Sequence, residues 1–323
     1  MRKFPMGIMF HHFHNNRHYG GQGSISKKDF EKIIHYIKPW RILDPHDWIE
    51  RVNRGLLTKN DLCLTFDDAL LCQYEIALPI LEKYNLRAFW FVYSSVFEGG
   101  LGKFEIYRLF RSKFFKNMDD FYKLFFSKIQ NSRFEKSARL KISQVDIDRF
   151  QYAFPHYSVN DIRFRMVRDK ILNRNEYESI MDGIIRKKGL TAEHLAKNLW
   201  MTNKHLKDLS DHGHAIGLHS YTHPMIMGSL SFSTQKEEYQ KNFNHIVEIT
   251  GKPPLSMSHP DNSYNDHTLK ILKQLKIICG FRSNKSPPNR GKVNQSQYEL
   301  AREDHTHIIK LINKRKSYEN KQS

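Results

Sequence analysis

The sequence predicts an α/β domain built on a largely parallel sheet, and three observations carry that expectation. Short apolar runs of strand length alternate with segments whose apolar residues recur at helical spacing. The chain has 323 residues, enough to bury one large core or two smaller ones. The residues best suited to chemistry, Asp67-Asp68 and the pair His219 and His223, follow apolar runs, at the C-terminal strand ends where parallel sheets place their sites.

Taken in order, Met6 to Phe13 reads as the first strand, and Ser26 to Lys38 as a helix capped by Ser26, with Phe30, Ile33, Ile34 and Ile37 on one face. Leu62 to Phe66 is a second strand, Glu75 to Tyr84 a helix containing Pro79, and Ala88 to Val92 a third strand. The alternation breaks at Glu98-Gly99-Gly100-Leu101-Gly102 and resumes near Thr202 with a helix leading into a strand at Ala215 to Leu218. Thr234 to Glu237 reads as a capping box that opens a helix to about Thr250. A strand at Leu255 to Ser258, a helix at Asp266 to Leu275 and a strand at Ile277 to Phe281 follow. The C-terminal stretch is basic, with Pro287-Pro288 in a loop and the last ten residues expected to fray.

Residues 101–195 differ in kind. They hold 16 of the 37 Phe and Tyr residues and 20 basic against 12 acidic side chains, with Phe110, Phe114, Phe121 and Phe125 at helical spacing. A mostly helical insertion is expected, its aromatic stripe packing against the main body. It leaves after a strand end, so a cap beside the site is expected, with Arg108, Arg111, Lys113, Arg163, Arg165 and Arg168 able to grip a diphosphate or anionic lipid headgroups. A self-packed lobe with a solvated basic face is the alternative.

Composition narrows the class of protein. Hydrophobic residues at 39% lie above the disordered range, and no apolar run is long enough to span a membrane or serve as a secretion signal. Three cysteines, Cys63, Cys72 and Cys279, cannot all pair, so a reducing cytoplasm is the expected compartment. The net charge of +18 favours anionic partners, but the basic residues are spread out and form no nucleic-acid-binding motif.

Two adjacent carboxylates closing an apolar strand, as in Thr65-Phe66-Asp67-Asp68, repel each other unless a cation or a shared proton balances them. A turn or helix cap is the bland reading. His219 and His223 are four apart, a spacing that on a helical turn puts both imidazoles on one face and suits a divalent metal. Ser220 stands where zinc proteases place Glu, so the base must come from elsewhere. Together the two motifs make a two-His, one-carboxylate site with a spare carboxylate beside it.

Thr65-Phe66-Asp67-Asp68, His219-Ser220-Tyr221-Thr222-His223 and the lead-in Gly213 to Leu218 resemble the polysaccharide deacetylases of carbohydrate esterase family 4, the NodB-homology proteins. Ala77-Leu78-Pro79-Ile80-Leu81 and Phe10-His11-His12 look like the family's flanking text, and the resemblance covers about residues 5–97 and 200–283. It implies an α/β fold of the distorted (β/α) barrel type, with residues 1–100 and 196–300 as barrel; it leaves unexplained the helical insertion, 101–195, and the basic C-terminal segment, 301–323, which are read from composition. It makes Asp68, His219 and His223 the ligands of one divalent ion, Zn2+ first, with Co2+, Ni2+ or Mn2+ as alternatives, and Asp67 the general base.

The third family motif, usually Arg-Pro-Pro-Tyr-Gly, looks like Ser258-His259-Pro260-Asp261-Asn262 here, so Ser258 replaces the arginine that orients the base. His259 could supply that charge, or nothing does. Pro260 and Asp261 fall at the oxyanion site, with Asp261 as N–H donor. The general acid is expected from His305, His307 or His11, and Ala69 replaces a usual Gly.

The implied activity is hydrolytic removal of an acetyl group from an N-acetylated sugar, nucleotide- or lipid-linked, in cell-surface polysaccharide biosynthesis, with peripheral contact to an anionic membrane left open. A deformylase or other amide hydrolase of the same fold, and a non-catalytic metal-binding member, are the alternatives.

Overall fold

The computed structural model describes residues 4–153, 157–285 and 292–322. Two compact units emerge, one from Met1–His18, Ser24–Gly100 and Asn198–Ser323, the other from Tyr19–Gly23 and Leu101–Lys197.

The first unit opens with β1 (Met6–Phe10), all five residues buried. The expected strand to Phe13 is interrupted: His11 and His12 leave the sheet, and β2 (Phe13–His14) pairs instead with β3 (Ile25–Ser26). Helix α1 (Lys27–Ile37) follows, its N-cap Ser26 and Asp29 forming a reciprocal capping box and its Phe30, Ile33, Ile34 and Ile37 buried. The short β4 (Arg41–Ile42) and helix α2 (Pro45–Asn53) were not among the expected elements, although Asp44 as N-cap and Pro45 in the first turn mark the start of α2. β5 (Asp61–Asp67) is buried at all seven positions, as expected of a parallel strand covered on both faces. The helix expected over Glu75 to Tyr84 is split into a π-turn, Gln73–Ala77, and α3 (Leu78–Lys83), which puts Pro79 in a first turn where its missing N–H costs nothing. β6 (Phe89–Val92) completes this half.

The second unit is helical: α4 (Lys103–Phe114), α5 (Met118–Ile129), α6 (Glu135–Ser143), α7 (Ile147–Ala153), α8 (Val159–Lys170), α9 (Arg174–Lys187) and α10 (Ala192–Ala196). The aromatic stripe packs within this unit, correcting the expectation that it serves the main body. Phe121 and Phe125 meet Phe164 edge-on at 5.4 and 4.8 Å, and Phe125 meets Tyr177 at 6.4 Å.

The first unit resumes with α11 (Asn203–Asp211), β7 (Ala215–Leu218), α12 (Phe232–Thr250), β8 (Ser256–Ser258), α13 (Asp266–Gln274), β9 (Cys279–Phe281), β10 (Arg302–Asp304) and α14 (His305–Gln322). Helix α12 begins one turn before the expected box, because Ser231 is its N-cap and accepts from the Thr234 N–H. Pro287-Pro288 lies outside the described residues. The C-terminal stretch, set apart in the sequence reading, contributes β10 to the sheet, and most of the residues expected to fray continue α14.

All named pairings in the main sheet are parallel, in the order β10-β1-β5-β6-β7-β8-β9, with β4 beside the start of β5. Leu300 bridges to Phe281 of β9, with the Arg282 N–H donating to the Leu300 carbonyl at 2.8 Å, so the two edges nearly meet. The result is a nearly closed (β/α) barrel, whose β5, β7 and β8 ends carry Asp67, the His219 loop and Ser258.

No helix of the described residues is long and apolar enough to cross a membrane.

Candidate active site at the strand ends

β5 ends in the two carboxylates, and the backbone then turns sharply, with Asp68 at φ 78° and Ala69 at φ 55°. The left-handed geometry explains why glycine suits position 69; Ala69 accepts a modest backbone strain there. The turn sends Asp67 and Asp68 in different directions. Asp68 Oδ1 lies 3.4 Å from His219 Nε2 and 3.4 Å from His223 Nε2, and one ligand atom from each residue falls within 4.8 Å of the others.

His219 and His223 do not share a helical turn, correcting that expectation. They flank a loop after β7, with Ser220 at φ 67° and His223 at φ 55°, closed by the His223 N–H donating to Ser220 Oγ at 3.0 Å. The loop is held from α12. Glu238 accepts from the Tyr221 and Thr222 N–H groups at 3.0 and 2.8 Å and from the Thr222 hydroxyl at 2.7 Å. Asn242 accepts from the His219 N–H and donates to the Val92 carbonyl, both at 2.9 Å. His219 Nδ1–H donates to the Ser258 carbonyl at 2.7 Å, which leaves the Nε2 lone pair facing Asp68.

These donors fit a divalent metal. Ligands at roughly 2.0–2.1 Å around a tetrahedral ion lie about 3.3–3.4 Å apart. The two Asp68–His distances of 3.4 Å match that edge. Without an ion, burial alone would raise the pKa of Asp68, but His219, once it takes a proton on Nε2 and donates it toward Asp68, and the charges of His223 and His11 drive it far below the usual carboxylate range.

Asp67 has a different partner. Arg302, from β10, donates to both of its oxygens at 2.7 Å, and Ser258 Oγ lies 3.2 Å from Oδ2. Arg302 also donates to Ser258 Oγ at 2.7 Å, to Thr65 Oγ1 at 3.2 Å and to the Arg282 carbonyl at 2.8 Å, so its guanidinium is fully framed. Burial pushes the Asp67 carboxyl up, but Arg302, helped by His219 and His11, outweighs it and holds Asp67 below its ordinary pKa. His259 does not supply this charge. Burial pushes its pKa down to about 3, its Nε2–H donates to the Tyr298 carbonyl at 2.8 Å, and it stacks on Tyr264 at 4.1 Å.

Of the three histidines expected as acid, His11 is the one brought to the carboxylates, its Nε2 3.7 Å from Asp67 and 3.9 Å from Asp68. His305 is buried, with Nδ1 on the Met9 carbonyl at 3.1 Å and its ring on Phe10. His307 pairs with Glu303 at 2.9 Å. Pro260 and Asp261 form a short turn after β8, Asp261 at φ 48° and Asn262 at φ 57°. The sequence reading missed Gln73, whose amide donates to the His11 carbonyl at 2.8 Å and the Asp67 carbonyl at 2.6 Å, tying the ends of β1 and β5 together.

The strand ends of a nearly closed parallel barrel thus carry an Asp-His-His cluster beside a second carboxylate. The model of the polysaccharide deacetylase family matches residues 182–279, a span that includes His219 and His223. Among solved structures, the deacetylase PplD of Streptococcus pyogenes, in complex with acetate, superposes with a TM-score of 0.55 at 16% identity, over 94% of this chain and 93% of that one. IcaB from Ammonifex degensii gives 0.52 at 12% identity, over 95% of each chain. A de-N-acetylase from Aggregatibacter actinomycetemcomitans gives 0.53 at 12% identity, over 93% of this chain and 94% of that one. A search of the curated proteins finds no match. The likeness read from the sequence is thus met twice, by the polysaccharide deacetylase model over residues 182–279 and by solved neighbours that share the fold.

Proposed function

We propose that the chain removes an acetyl group from an N-acetylated sugar, using one divalent ion, Zn2+ first, held by Asp68, His219 and His223. The observation that carries this reading is the pairing of that ligand triangle with a second carboxylate, Asp67, held ionised by Arg302. A bare structural metal site has no use for a charged, separately clamped carboxylate at its edge. The acetyl group is favoured because acetate, bound in the Streptococcus pyogenes neighbour, is the product such a reaction releases.

A divalent ion at this place lowers the pKa of a bound water toward neutrality and polarises the amide carbonyl. The protein's own groups do the rest. Asp67, unprotonated at neutral pH, takes the proton of the attacking water as general base. Arg302 and Ser258 fix the direction of its lone pairs. The Asp261 N–H meets the oxyanion, while Pro260, which has no N–H, shapes the wall. His11, with a side chain 26% exposed and next to both carboxylates, gives the leaving amine its proton. His305 and His307 then serve packing and the surface.

The sugar is read as an intermediate of cell-surface polysaccharide assembly, carried on a nucleotide or lipid, and the setting as cytoplasmic. Cys63, Cys72 and Cys279 are buried thiols with no disulfide between them, which suits a reducing compartment. The test is acetate release from a panel of N-acetylated sugars and sugar nucleotides by the metal-loaded chain. Release that vanishes on chelation and returns with metal is expected; no release from any member, with metal bound, contradicts the reading.

A further inference from the structure

We propose that the helical unit carries a phosphate-binding site formed by Arg108 and Arg111 of α4 and Arg165 and Arg168 of α8. The proposal goes beyond deacetylation and does not depend on it.

Each pair is spaced three residues apart, so each helix turns both guanidinium groups to one side. The two sides converge. Arg111 and Arg168 both lie over the ring of Phe164, their Cζ atoms 5.1 and 5.7 Å from its centroid, and Arg165 lies over Tyr157 at 4.0 Å. The segment Tyr19–Gly23 links Arg108 to Arg165: Gln22 accepts from Arg108 through its carbonyl at 2.6 Å and from Arg165 through Oε1 at 3.4 Å.

The charged groups that act on Arg111 are other arginines. Asp169 takes Arg168 in a bidentate pair at 2.5 and 2.8 Å, and Asp161 takes Arg165 at 3.3 Å while also accepting from Tyr122 and Gln22. Arg108 meets a neutral carbonyl and Arg111 meets rings. Arg111 Nε is buried with no hydrogen-bond partner among the described residues. Burial, together with the nearby Arg168 and Arg165, pushes the Arg111 pKa down, the mark of a cation lacking its counter-charge.

A phosphate group supplies what is missing: up to two negative charges and several acceptor oxygens that match the planar fork of a guanidinium. The aromatic faces under Arg111, Arg165 and Arg168 hold those planes in place before the anion arrives. Arg163, grouped with Arg165 and Arg168 in the sequence reading, is excluded, for it lies exposed with only Asn160 Oδ1 at 3.5 Å.

The experiment is calorimetric titration of inorganic pyrophosphate into the full chain carrying Asp68→Ala, at low salt, so that an ion at the strand ends does not contribute. Saturable binding is expected, weakened by added salt. Arg111→Met and Arg108→Gln should each weaken it about tenfold or more, and Arg163→Gln less than twofold. Arg108 is partly exposed, so its variant keeps the test valid if Arg111→Met fails to fold. Absence of saturable binding to the folded chain, or equal binding by the Arg108 variant, overturns the site. Sedimentation with phosphatidic acid vesicles separates the sources. Vesicle binding that pyrophosphate competes away and Arg108→Gln weakens assigns a lipid phosphate; pyrophosphate binding without vesicle binding assigns a soluble one.

Discussion

Arg302 and Asp67 form a two-toothed pair, 2.7 Å at both contacts, on side chains 1% and 2% exposed, although 235 residues separate them. The arginine that the third motif lacks at Ser258 thus has a counterpart on β10, where Arg302 reaches Asp67. Ser258 is small enough to leave room for the guanidinium and polar enough to bond it. The charge on Asp67 is retained by moving its partner to another strand.

Arg302→Gln should therefore keep the metal and lose turnover on the order of 10- to 100-fold. It should also destabilise the fold by about 3–5 kcal/mol, the cost of leaving a buried carboxylate unpaired. Arg302 depresses the Asp67 pKa, so activity falls only as pH drops through that low value; without it, the acid limb of kcat/KM should move to higher pH. In Arg302→Ser, adding Ser258→Arg should restore part of the loss. A pH profile unchanged in Arg302→Gln would remove Arg302 from this role.

The His219–His223 loop depends on Glu238, which satisfies two backbone N–H groups and a hydroxyl in it. Glu238→Ala should weaken zinc affinity about 10- to 100-fold, as measured by competition with a chelator, with far-ultraviolet circular dichroism unchanged. Equal affinity in the variant would show that the loop keeps its shape unaided.

Two buried histidines make the fold acid-sensitive. Burial lowers His214 to about 4 and His259 to about 3, against 6.5 for an exposed imidazole. The unfolded chain binds their protons first, so stability is full above pH 6.5 and is lost as pH falls toward 4, by at most about 3 kcal/mol for each histidine. Urea midpoints should drop between pH 7 and 5, and His214→Asn should lessen the drop. An identical pH slope in that variant would contradict the assignment.

Gly217 marks a tight crossing beneath the His219 loop. A Cβ there would lie 2.6 Å from Phe91 Cδ1 and 2.8 Å from the Ser256 carbonyl oxygen. Gly217→Ala should cost about 1–3 kcal/mol in chemical denaturation. No change would mean that β6 and β8 yield more easily than their packing implies.

The sequence carried the barrel strands and the Asp68-His219-His223 cluster because both have local signals: apolar runs, and a His pair and an Asp pair at their ends. β10 escaped because its residues, Arg302-Glu303-Asp304, are all charged and carry no strand pattern. Arg302 is buried against Asp67, while Glu303 meets Lys285 and His307. A strand whose inward residue is an arginine reads as surface until its carboxylate partner is known. The His219 loop was misread for a related reason, since a spacing of four is helical only if no residue between turns left-handed, as Ser220 does. Glu238 and Asn242 lay hidden in the polar pattern of α12, where nothing local separates a buttress from a solvated face.

The central claim is that Asp67 acts as base beside an ion it does not bind. The direct measurement is acetate release by metal-loaded Asp67→Asn, with metal content read on the same sample. The predicted result is about one divalent ion per chain, as in the unaltered protein, and turnover lower by on the order of 100-fold or more. Unchanged turnover at full metal occupancy would contradict the account.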